Sequence, residues 1–212
     1  MAESNPITIR RGQGAESSKP YIEVLKLPRK MESARVRFDI FFDEDFDFAC
    51  RGKIGGFFVG PGRSQGGEHA RDGSSFRVMW DAGGGAYMYV YTPKGSEKWQ
   101  TDDRLRDRTS MGYNLYTTSF PDALRRNGWR TVTMGIKLNT FASTDGQDDP
   151  KPDGQLYLQV DGAEETLDNV VMRLNSKYKV DKFVFNLFHG GPCKAPKTMH
   201  VDIRNVELVD GD

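Results

Sequence analysis

Between residues 53 and 91 the chain carries a lysine, Lys53 in CRGKIGGFFVG, and then a serine, an arginine and two tyrosines at spacings that hairpin geometry would gather on one surface: Ser75 and Arg77 in SSFRVMW, Tyr89 and Tyr91 in AYMYVY. Successive strand residues point to opposite faces, so Ser75, Arg77 and Met79 share one face and Phe76, Val78 and Trp80 the other. On the returning segment Tyr87, Tyr89 and Tyr91 share a face. With DAGGG (81–85) as the turn, Trp80 pairs with Ala86, Met79 with Tyr87, Arg77 with Tyr89 and Ser75 with Tyr91, and such partners lie about 4.5–5.5 Å apart at Cβ. One polar patch follows, and the apolar set packs against a second sheet. A solvated face decorated by arginine–tyrosine pairs is the competing reading, which a concave sheet face would disfavour. Lys53 precedes a Gly-Gly pair, where missing side chains let a ligand approach the backbone; a solvated surface lysine is its plainer alternative.

This set holds cations and phenols but no pair of carboxylates, which argues against ordinary glycoside hydrolysis and suits an acidic sugar. In β-elimination on a uronate, the weakly acidic hydrogen alpha to the carboxylate must leave, and a cation against that carboxylate stabilises the developing enolate-like charge. Tyrosine titrates near 10 and a neighbouring cation favours its ionised form, so such a cluster can supply both base and acid without a metal or cofactor. Arg77 and Lys53 are assigned to the carboxylate, Tyr89 or Tyr91 to proton abstraction and return, and Ser75 to a hydrogen bond, with Lys53 as base the main variant. In KVDKFVFNLFHGG, Phe183, Phe185 and Leu187 face one way and Lys182, Val184 and Asn186 the other; His189 ends that run beside two glycines as a cleft edge. Asn186 and His189 are the substrate-binding candidates. His69 and His200 lack a chemical context, and no GxSxG elbow, P-loop or dinucleotide fingerprint appears.

The elements that must position these groups read as an all-β protein: 23 glycines and 10 prolines punctuate short alternating runs at 7–10, 21–27, 34–42, 53–59, 75–80, 86–91, 129–139, 155–160, 179–188 and 199–209. No long amphipathic helix separates them, which favours two packed antiparallel sheets. Stretches 122–126 and 167–174 look weakly helical. Residues 94–108 and the acidic 145–154 (DGQDDPKPDG) read as solvated loops, the latter lacking the spacing of a calcium loop. A chain of 212 residues suits one domain spanning 1–212, with 1–20 as a loosely packed N-terminal segment.

Thirty basic side chains balance thirty acidic ones, so no global field recruits nucleic acid or an anionic membrane. No apolar run approaches the roughly 20 residues of a bilayer span, and the start lacks the apolar centre of a signal peptide. Cys50 and Cys193, the two cysteines, cannot supply a structural zinc site. A long-range disulfide and two buried thiols are both open readings.

KIGGFFVG followed by SSFRVMW and AYMYVY resembles the catalytic region of polysaccharide lyase family 14, particularly the chlorella-virus enzymes that degrade polyglucuronate and alginate-like polymers. NGWRTVTMGIKLNT, DGQLYLQVDG and FVFNLFHGG are similar to the strand pattern of that family and of the related fungal glucuronan lyases, so the resemblance runs from about residue 35 to the C-terminus. By position, Lys53, Ser75, Arg77, Tyr89 and Tyr91 match the family's lysine, serine, arginine and tyrosine pair. His189 stands where many relatives would carry an aromatic, which bears on substrate preference. The resemblance implies a β-jelly-roll sandwich of two antiparallel sheets with the substrate across a concave face. It also implies a monomer whose partner is an acidic polysaccharide, virion-associated or released from an infected cell and acting on an algal wall. A non-catalytic glycan-binding jelly roll and a viral attachment protein are the alternatives.

Overall fold

The stretch SARVRFDIFF shows how the alternation works: Ala34, Val36, Phe38, Ile40 and Phe42 are buried while Arg35 and Arg37 lie in solvent. In the computed structural model, which describes residues 6–15, 21–61, 72–106, 112–116, 120–144 and 147–209, there are fourteen strands. They are β1 (Ile7–Ile9), β2 (Tyr21–Met31), β3 (Ser33–Phe42), β4 (Gly52–Val59), β5 (Ser74–Trp80), β6 (Ala86–Tyr91), β7 (Tyr113–Leu115), β8 (Gly128–Lys137), β9 (Phe141–Thr144), β10 (Gln147–Pro150), β11 (Gly154–Val160), β12 (Ala163–Val170), β13 (Val180–His189) and β14 (Met199–Val209).

One six-stranded sheet has the order β1-β14-β3-β8-β11-β12 and the other β2-β13-β4-β5-β6-β7, with β9 and β10 as a separate ribbon. Neighbouring strands in both sheets pair antiparallel. The core lies between the sheets. Phe38 of β3 meets Phe185 edge-on at 5.0 Å and Phe183 at 6.0 Å, and Phe57 meets Phe183 at 5.0 Å. Burying one such ring stabilises by about 1.5–3 kcal/mol, and deleting it adds a cavity cost. Phe38→Ala is therefore expected to cost about 3–5 kcal/mol in urea unfolding. Phe41→Ala, three residues on and facing away from the core, should cost far less; equal losses would contradict this placement.

The ten expected strands all form, β2 running on to Met31. The stretch 167–174, expected to be weakly helical, instead carries the end of β12. Asp161, at φ 52°, and Gly162 turn the chain so that Val160 pairs with Ala163, and the hairpin with β11 overrides local propensity. Residues 122–126 form turns without helix, and 94–106 contain two short 3-10 turns, Ser96–Lys98 and Asp103–Leu105. In the acidic stretch the carboxylates accept protein N–H groups: Asp148 from Ser176 at 2.7 Å, Asp149 from the Trp99 indole at 3.3 Å and Asp153 from Thr140 at 2.6 Å. Nor is the whole of 1–20 loose, because Ile7 and Ile9 are buried and pair with Val201 and Met199. His69 falls outside the described residues. Among the described residues no helix is long and apolar enough to cross a membrane.

Candidate active site

The β5–β6 hairpin has the register its turn length demands: Ser75 opposite Tyr91, Arg77 opposite Tyr89, Met79 opposite Tyr87. β4 flanks β5, placing Phe58 beside Ser75, Gly56 beside Arg77 and Lys53 beside Met79. The register shifts between Lys53 and Gly55; the extra residue, Ile54, enters the core, and Lys53 stays on the face with Arg77. At Gly56 a Cβ would lie 2.0 Å from the Phe76 carbonyl oxygen, so this position has no room for a side chain.

These five groups form one cluster on the face turned away from the core. The Lys53 Nζ lies 5.5 Å from the Tyr89 ring centre and 5.2 Å from that of Phe188. The Arg77 guanidinium sits 4.8 Å from the Phe58 ring and 5.7 Å from Tyr91. Tyr89 donates its hydroxyl to Tyr91 across 3.0 Å, their rings edge-to-face at 5.2 Å. The backbone at Gly112 comes down on this pair, a Cβ there falling 2.5 Å from the Tyr89 oxygen. Ser75, Arg77 and Tyr91 are 0, 2 and 1% exposed. A solvated decorated face would leave them open, so that reading fails. Lys53 and Tyr89 are the half-buried members, the pair a ligand can reach.

Burial gives the two reachable groups opposite tendencies. Desolvation, with the charge of Arg77, lowers the Lys53 ammonium to about 7, so near neutrality a large fraction is free amine. Desolvation and the bond to Tyr91 push the Tyr89 phenol above its ordinary range, with Arg77 opposing, so it keeps its proton. Arg77 is pulled down to about 10 by burial, against the pull of Tyr91 and Tyr89, and stays a cation at neutral pH. The cluster thus pairs an amine able to accept a proton with a phenol able to give one, beside a buried positive charge.

Asn186 lies on this same face, its buried Oδ1 without a hydrogen-bond partner among the described residues. His189 does not. It lies on the core side, fully buried, stacked on Phe46 at 6.1 Å and edge-on to Trp80 at 5.6 Å, with neither ring nitrogen hydrogen-bonded among the described residues. Desolvation lowers its pKa, opposed by Asp47, and keeps it neutral. The expected cleft-edge role is therefore replaced by packing: His189 follows the alternation of Phe183, Phe185 and Leu187. Its neighbour Phe188 lies under Lys53, a position that the same alternation, counted from Asn186, would have found. Phe58 was also missed, though it sits opposite Ser75 in the register. Cys50 and Cys193 form a disulfide. Their sulfurs and a ring nitrogen of His189 lie within 4.8 Å of one another, but sulfurs bonded to each other are not thiolate ligands.

Comparison with known proteins agrees with this geometry. The polysaccharide lyase 14 family model matches residues 7–206. The sequence is 31% identical over 201 residues to Exolysin of Paramecium bursaria Chlorella virus 1, a match covering 85% of this chain and 29% of Exolysin, so the chain spans under a third of that relative. The alginate lyase vAL-1 from Chlorella virus aligns with a TM-score of 0.85 at 26% identity, over 97% of this chain and 84% of vAL-1. The glucuronan lyase of the fungus Trichoderma reesei shares the fold at a TM-score of 0.60 and 14% identity, over 97% and 80% of the two chains. With a family match over nearly its whole length and the two-sheet jelly roll of those lyases, the chain belongs to the polysaccharide lyase 14 family.

Proposed function

We propose that the protein cleaves polyuronates, polyglucuronate or alginate-type chains, by β-elimination, leaving 4,5-unsaturated uronate ends. The observation that carries this is the contrast between Lys53 and Tyr89, neighbours of opposite protonation on the reachable side of Arg77. The neutral Lys53 amine takes the hydrogen alpha to the uronate carboxylate, the electron pair left behind forms the new double bond, and the glycosidic C–O bond breaks. Tyr89 gives its proton to the departing oxygen. The products are an ammonium at Lys53 and a phenolate at Tyr89, which solvent resets. Arg77 supplies a fixed positive field for the charge on the carboxylate. Ser75 and Tyr91 orient the cluster, and Asn186 contacts the sugar. All these groups come from one chain, which supports action as a monomer. The viral origin of Exolysin and vAL-1 supports an algal cell wall as target, reached from the virion or after release from the infected cell.

The test is ultraviolet absorbance over time with polyglucuronate and with alginate, each with and without chelator. A rise that survives chelation is the expected result. A flat trace on both polymers from neutral to alkaline pH would overturn the proposal in favour of a glycan-binding module.

A further inference from the structure

Past Arg77, away from Tyr89, the same face continues over β4 and β13 to the edge strand β2. There it forms an open groove of about 640 Å³ lined by Val24, Lys26, Phe58, Lys182, Val184 and Asn186. The register explains its shape. Arg77, Gly56, Val184 and Val24 stand in one row across β5, β4, β13 and β2, with nothing bulkier than valine beyond the arginine. In the adjoining row stand Ser75, Phe58, Lys182 and Lys26. The groove thus has a low floor and a basic wall. It begins at the catalytic cluster: the Phe58 ring carries the Arg77 guanidinium at 4.8 Å and the Lys182 ammonium at 5.4 Å. Arg29 and Lys30 add positive charge to its lining, against the single carboxylate of Asp181. Strand spacing of about 4.8 Å puts β2 roughly 14 Å from Arg77, room for further sugar units of one chain.

We propose that this groove is a second uronate subsite, in which Lys182 and Lys26 take carboxylates of sugars further along the polymer that Lys53 and Tyr89 engage. The Oδ1 of Asn186, without a partner among the described residues, accepts from a sugar hydroxyl there. The occupant is the substrate's own continuation, because Phe58 borders both the Arg77 guanidinium and the groove, and the charge excess is complementary to a polyanion. This assignment rests on the polyuronate reading of the cluster.

The test compares wild type with the Lys26→Ala/Lys182→Ala double variant on long polyglucuronate and on its trisaccharide. Two partly exposed charge contacts predict a roughly tenfold loss of kcat/KM on the polymer, borne by KM, a weaker salt dependence of KM, and less than about threefold loss on the trisaccharide. Equal losses on both lengths, or no loss on the polymer, would overturn the subsite. Polymer binding, measured by titration in the Arg77→Ala background, separates the two levels. If wild type never forms unsaturated ends, the lyase reading fails, yet a tenfold weaker polymer affinity after removing both lysines still supports the groove. Equal affinities would sink it.

Discussion

Lys53→Met is expected to reduce kcat on polyuronate by about 10²–10⁴-fold, the usual worth of a positioned general base. The wild-type kcat/KM should climb as pH rises towards about 7, where the Lys53 amine loses its proton, and then level off. Tyr89 does not limit the rate there, because its shift is upward. The same substitution has a stability signature of known sign. The folded pKa of Lys53, about 7, lies below the unfolded value near 10.4, so the cost of burying the ammonium is fully present below about 7 and falls away as pH rises from about 7 to about 10.4. Lys53→Met should therefore unfold at higher urea than wild type at pH 6, with the advantage fading as pH approaches 10. An inactive variant that is also less stable at pH 6 would mean damage to the fold and would remove the case for Lys53 as base.

The second large effect is at Arg77. Arg77 is 2% exposed, so its charge acts through a poorly screening medium. Arg77→Met, which fills much of the same volume, should lower kcat/KM by about 10²–10³-fold, the loss seen when one preorganised electrostatic group is removed. It carries a second readout. Arg77 is one of the causes holding Lys53 low, so without it the acidic limb of the pH profile should move to higher pH. A limb that stays near 7 in a folded, weakened variant would show that the two residues are not coupled and that Arg77 acts on substrate alone.

Much of this site was legible because local rules determine it. The five-residue DAGGG turn sets the register of β5 on β6, and period-two alternation then assigns Ser75, Arg77, Tyr89 and Tyr91 to one face. His189 was misplaced because its two following glycines suggested an open cleft. They serve a loop instead, Gly190 donating to the Arg51 carbonyl at 2.7 Å and Gly191 sitting at φ 63°. Alternation, followed strictly, would have buried His189 and exposed Phe188 to Lys53. The lowered Lys53 pKa and the basic groove had no local signal. The first depends on β13 bringing Phe188 beneath Lys53 of β4, and the second on β2, β13 and β4 lying side by side, although β2 and β4 each lie more than a hundred residues from β13 in the chain. The disulfide had the same obstacle: Cys50 and Cys193 meet because Gly52 pairs with His189, a contact no sequence spacing encodes.

That disulfide joins residues 143 apart, one just before β4 and the other just after β13. The span it closes contains Lys53, Ser75, Arg77, Tyr89, Tyr91 and Asn186, so every group assigned to the reaction belongs to a covalent ring. A single peptide bond cut by a protease anywhere inside that ring leaves the two pieces joined through sulfur, and the strands on either side of the break can stay in register. A single nick in a surface loop inside the ring therefore leaves the whole candidate site covalently joined.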